Sequence, residues 1–174
     1  MKKTESSYIR ICLFLISAVT LFAPSCERLK EDPLFVGTWE SREQIAIGDL
    51  TFNTTRTLVL TKKTYEEVYV IRIGNSSYIS AVIGRRGDLA VKGTRMTFTL
   101  RELGTCATDT EGRCTADAVW HGPGTPYYSD NIQYFKLTLT GEFEAGEFYL
   151  RLLIDNNGDG DTVDQGEDVE YERI

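Results

Sequence analysis

The chain has 174 residues, 41% of them hydrophobic and 26% charged, with 19 basic and 26 acidic side chains and a formal net charge of −7. That length suits one domain or two small ones, and the apolar fraction is enough to bury a core. The acidic balance excludes a general nucleic-acid binder, which needs a basic face to displace counterions. A single histidine, His121, argues against sites assembled from several imidazoles.

Residues 1–25 read as a targeting segment outside the fold. Lys2, Lys3 and Arg10 make a basic start, and the mostly apolar run Ile11–Phe22 follows. A membrane-spanning helix needs about 20 apolar residues, whereas a signal-peptide core needs about 7–15. The cut falls after Ala23-Pro24-Ser25 and before Cys26. A small residue directly ahead of a cysteine resembles the lipobox of bacterial lipoproteins. That resemblance implies a lipid on Cys26 and attachment to the outer membrane, on its periplasmic or its surface face. Ordinary secretion with cleavage at the same bond is the alternative. Residues 26–33 are polar and read as a flexible tether. Cys106 and Cys114 are natural disulfide partners in an oxidising compartment, and lipidation accounts for the otherwise odd Cys26. The nine-residue loop they close is worth roughly 2.5 kcal/mol of chain entropy.

From Leu34 to Ile174 the pattern is that of strands, with period-2 alternation rich in Val, Ile, Thr, Tyr and Phe. In chain order the runs are Val36–Ile47, Leu50–Leu60, Thr64–Ile73, Tyr78–Ile83, a short Leu89–Val91, and Met96–Arg101. Three more follow: Phe135–Thr140 with Leu137 on its apolar face, Phe148–Ile154, and Val169–Arg173. Turn signals fall at Gly48-Asp49, Gly74-Asn75, Arg86-Gly87-Asp88, Lys92-Gly93 and Gly141–Gly146. Eight or nine strands predict an all-β domain, a closed antiparallel barrel or a sandwich.

The domain opens with Phe35-Val36-Gly37-Thr38-Trp39-Glu40 and closes with Tyr171-Glu172-Arg173. This resembles the G-x-W start and arginine-bearing end of lipocalins and of the lipocalin-like domains found in bacterial lipoproteins. The resemblance implies a single barrel of eight or nine strands in which Trp39 plugs one end and Arg173 lies across it. It also implies a small apolar ligand inside the barrel. Arg173 shares the parity of Val169 and Tyr171, so it can point inward, where a guanidinium on an indole contributes about 0.5–2 kcal/mol.

Two segments stand out for chemistry. The run from Asp155 to Asp168 carries six carboxylates in fourteen residues. It resembles an EF-hand type of calcium loop, D-x-[DN]-x-[DN]-G, with Asp155, Asn157, Asp159 and Asp161 as oxygen donors and Gly160 at the sharp turn. Position 12 of such a loop is Gly166 here, so closure falls to Glu167, and the flanks are strands rather than helices. The alternative is a solvated acidic hairpin loop. The second segment, Leu103–Ile132, shows no clear element and reads as a long loop. Trp120, His121, Tyr127 and Tyr128 make it a candidate contact surface, or a cap over the barrel end.

No phosphate-cradling glycine loop, G-x-S-x-G or second histidine is present, and the expectation is a binding protein rather than an enzyme. Two binding classes compete. A hollow barrel would hold a small hydrophobic ligand, while a packed one would leave its loops to engage a surface protein or glycan, with calcium ordering one of them. The charge has a location: residues 155–174 hold eight acids and one base, and the rest of the chain after residue 25 is close to neutral.

Overall fold

The computed structural model describes residues 32–174 other than 163 and 165. The signal segment, Cys26 and most of the tether lie outside the described residues. Nine strands follow one another: β1 (Gly37–Ile47), β2 (Leu50–Leu60), β3 (Thr64–Ile73), β4 (Ala81–Lys92), β5 (Arg95–Thr108), β6 (Cys114–His121), β7 (Thr138–Ala145), β8 (Tyr149–Leu153) and β9 (Asp168–Arg173). Between β6 and β7 lie a short helix, α1 (Pro126–Asn131), and a 3-10 turn (Ile132–Tyr134).

Every pairing is antiparallel. Strands β1 to β5 pair in sequence, β5 then pairs β7, and β7–β8–β9 returns to β1. The result is a closed eight-stranded barrel, which leaves those strands no open edge. The ninth strand, β6, pairs with the far half of β5, Leu103–Thr108, while β7 takes the near half, Arg95–Thr99.

Inward parity carries the core: Trp39, Leu58, Leu60, Tyr65, Leu89, Met96, Phe98, Leu150, Leu152 and Tyr171 are all buried. Tyr65 and Phe98 meet edge to face with ring centroids 5.1 Å apart. At one end Trp39 is fully buried and donates from Nε1 to the Phe35 carbonyl at 2.9 Å. Arg173, its register partner on β9, sits 4.4 Å over the indole and donates from Nη2 to the Leu34 carbonyl at 2.6 Å.

Several expectations are corrected. Arg86-Gly87-Asp88 is no turn but the middle of one twelve-residue strand, β4. There the β4–β5 register shifts, with Arg101 of β5 extra, and a Cβ at Gly87 would collide with the Thr99 carbonyl oxygen. That glycine marks a close backbone approach at a bulge. Gly141 likewise lies inside β7, where a Cβ would meet the Leu153 carbonyl oxygen. Leu137 does not fill the barrel, because the 3-10 turn delays β7 to Thr138 and leaves Leu137 56% exposed. Phe148 precedes β8 and is exposed. Leu103–Ile132 is not a structureless loop: it holds the end of β5, all of β6 and α1. The disulfide Cys106–Cys114 forms, and it staples the β5–β6 hairpin.

Candidate functional site

Opposite the Trp39 end, the interior turns polar. Arg56 on β2, Glu67 and Tyr69 on β3, Arg85 on β4 and Tyr171 on β9 project inward from neighbouring strands, because Arg56 pairs with Tyr69 and Glu67 with Arg85 in register. Arg85 binds the Glu67 carboxylate through Nε at 2.9 Å and through Nη2, which also donates to the Tyr69 hydroxyl at 2.9 Å. Arg56 sits 3.9 Å from Glu67 and stacks 4.5 Å over the Tyr69 ring. The hydroxyls of Tyr69 and Tyr171 donate to Glu67 Oε1 at 3.1 and 3.2 Å.

Burial by itself would push the Glu67 carboxyl up, but the charges of Arg85 and Arg56 outweigh it and hold its pKa below the ordinary range. Burial pushes the Tyr65 hydroxyl up to about 12, and Tyr69 and Tyr171 are likewise raised, by burial and by Glu67. Two guanidiniums face Glu67 here, and Glu167 brings a second carboxylate to the same interior.

Arg56, Tyr65, Glu67, Arg85 and Tyr171 border a narrow inner pocket of about 30 Å³, whose other walls include Leu58, Phe98, Leu139, Leu152, Ile154 and Glu167. A water needs roughly 10–15 Å³ measured in this way, so the pocket suits one or two waters. The barrel is thus largely packed, well short of the roughly 300 Å³ that a drug-sized ligand fills. Beside it is an open cup of about 320 Å³ at the mouth, lined by Tyr69, Ile83, Arg85, Tyr134, Phe135, Lys136, Leu139 and Asn156. Arg85, Leu139 and Asn156 line both spaces, so cup and pocket share a wall.

The acidic loop joins β8 to β9 at this same end. Asp159, Asp161 and Glu167 each bring one carboxylate oxygen within 4.8 Å of the others, an arrangement able to hold a metal ion. Asp155 is differently engaged: its carboxylate accepts from the backbone N–H of Gly158 and, at 3.1 Å, from that of Gly160. Asn157 accepts on Oδ1 from the Asp159 N–H at 2.8 Å and donates to Asp159 and Asp164 at 2.9 and 2.6 Å. The Asp161 N–H and Asn157 keep the Asp159 carboxyl low, whereas the neighbouring charge of Asp159 raises Asp164.

The expected contact loop is not one surface. Trp120 and His121 alternate along β6. Trp120 lies flat on the outside across Gly84 and Gly104, with Arg86 stacked 4.5 Å above it. His121 takes the other face and packs on Tyr127 of α1 at 4.6 Å, with Nε2 buried and without a hydrogen-bond partner among the described residues. Tyr128 supplies the N–H capped by Thr125 at the start of α1.

The charged interior was missed by sequence reasoning, although a signal existed. Arg56 falls on the inward parity of Thr54 and Leu58, and Glu67 on that of Tyr65 and Tyr69. A charge at an inward position of a strand must find a partner, and that partner here comes from adjacent strands. Comparison with protein-family models and with curated proteins finds no match to this chain.

Proposed function

We propose that the protein is a lipid-anchored binding protein of the cell envelope, whose open barrel end takes a small amphipathic ligand with an anionic head. The observation that carries this reading is the cup's own lining, in which the cations Arg85 and Lys136 stand beside the apolar surfaces of Ile83, Phe135 and Leu139 and no carboxylate among the described residues takes part. A guanidinium donates to a carboxylate or phosphate, and the apolar wall covers a short tail. The packed interior turns the apolar ligand expected from the lipocalin resemblance into one seated at the mouth. Binding is the mode this reading gives the site, since Glu67, Tyr69, Arg85 and Tyr171 hold one another in hydrogen bonds. Calcium is the cation this reading gives the acidic loop, because its donors are hard carboxylate oxygens.

Calorimetric titration with laurate and with dodecanol separates the charge from the tail. Laurate is expected to bind and the alcohol to bind at least about tenfold more weakly, as a charge-assisted hydrogen bond contributes roughly 1.5–3 kcal/mol. Equal affinities overturn the role of these cations, and absence of binding by both overturns the mouth as a ligand site. Mass spectrometry of Cys26 from membranes tests the anchor; an unmodified thiol there refutes it.

A further inference from the structure

Glu167 is only 2% exposed, yet its two carboxylate oxygens are unequally treated. Oε1 accepts from the backbone N–H of Asn156 at 2.8 Å and of Asn157 at 3.1 Å. Oε2 is buried and has no hydrogen-bond partner among the described residues. An orphaned charged oxygen in the interior is costly, and such groups persist when paired or when they coordinate a metal. The same carboxylate stands within 4.8 Å of carboxylate oxygens of Asp159 and Asp161, so three like charges converge on one point.

We propose that Glu167 is the closing ligand of a calcium site made with Asp159 and Asp161, and that the ion braces the wall of the inner pocket. This deepens the calcium reading of the acidic loop and rests on it. The closing residue stands one position later than in an EF-hand loop, because the chain leaves the loop into a strand rather than a helix, and Gly166 takes a left-handed turn with φ +82° just before it. Asp155, a ligand by spacing, instead shapes the turn through the Gly158 and Gly160 amides. Calcium takes six to eight oxygens at about 2.3–2.6 Å, so backbone carbonyls and water complete the shell. Magnesium demands a tighter octahedron and dehydrates reluctantly, and it competes poorly here.

The link to the pocket is direct. Asn156 Nδ2 donates to the Gly166 carbonyl at 2.9 Å, and Asn156, Gly166 and Glu167 all line the pocket beside Arg56. An ion drawing on Glu167 therefore fixes the residues that Glu167 holds by their amides.

Calorimetric titration of the protein with calcium chloride tests this, paired with amide hydrogen exchange at Asn156 and Asn157. The wild type is expected to bind in the roughly 10⁻⁴–10⁻³ M class of extracellular modules, with slower exchange of both amides in calcium. Glu167→Gln is expected to bind at least about tenfold more weakly, as loss of a metal-site carboxylate does. No heat from the wild type at millimolar calcium overturns the calcium reading and this inference with it. Binding by the wild type with unchanged affinity in Glu167→Gln leaves the calcium reading standing and overturns the role of Glu167. Calcium binding with no change in exchange overturns the brace. Asp161→Asn, at an exposed position, serves if the first variant loses its fold, and unchanged affinity there overturns the three-carboxylate site.

Discussion

Replacing Glu67 with glutamine keeps its size and removes its charge, leaving Arg56 and Arg85 side by side without their counter-ion. The side chains are 7%, 12% and 21% exposed for Glu67, Arg56 and Arg85, so water screens this charge weakly. Breaking a buried ion pair costs about 3–5 kcal/mol. Partial exposure of Arg85, and the hydrogen bonds that the amide retains, place the expected loss near the lower end, about 3 kcal/mol. For a domain of this size that lowers Tm by about 10 °C. The folded pKa of Glu67 lies below its ordinary 4.5, so its stabilisation is fully present above that value and is lost as pH falls through the folded one. The gap in Tm between wild type and variant should therefore be constant above about pH 5 and close in more acidic solution. Thermal unfolding followed by circular dichroism from neutral to acidic pH measures both. A variant within about 2 °C of wild type at neutral pH, or a gap that persists at the acid end, refutes the buried ion-pair argument.

Three further outcomes are expected. Trp39→Ala should cost about 3–5 kcal/mol as a core deletion, and Arg173→Ala only about 0.5–2 kcal/mol as loss of the stacked cation, both read by chemical denaturation. Gly84→Ala places a Cβ 2.8 Å from the Trp120 ring and 2.9 Å from the Gly104 Cα, so it should expel the indole and red-shift tryptophan fluorescence, costing about 1–3 kcal/mol. Replacing both Cys106 and Cys114 with serine should cost roughly 2.5 kcal/mol. Because β6 pairs, among the described residues, with β5 alone, hydrogen exchange should accelerate in β6 while the barrel strands keep their protection.

Legibility in the sequence followed the physics of each feature. Strands β2 and β3 match their period-2 runs residue for residue, since alternation on a half-buried strand is a local pattern. Strand β6 was hidden because Cys114, Thr115, Ala116 and Ala118 present little apolar contrast, and what holds them is the edge of β5 and the disulfide. Gly87 and Gly141 looked like turns because a glycine needed for close backbone approach and one needed for a turn are identical in sequence. In the acidic loop the carboxylates were plain from composition, but which of them converge was not. Asp155 spends its oxygens on local amides, and Glu167 reaches the group only because β9 brings it inward.

The sequence by itself determined that the chain is an all-β domain behind a short apolar segment, and that nearly all of its net charge sits in residues 155–174. Closure of the barrel, the meeting of Arg56, Glu67 and Arg85 inside it, and its filling to a pocket of about 30 Å³ were decided by the tertiary structure alone. The reason is that alternation tells which face of a strand turns inward. Register between strands decides which inward residues meet and how much room they leave.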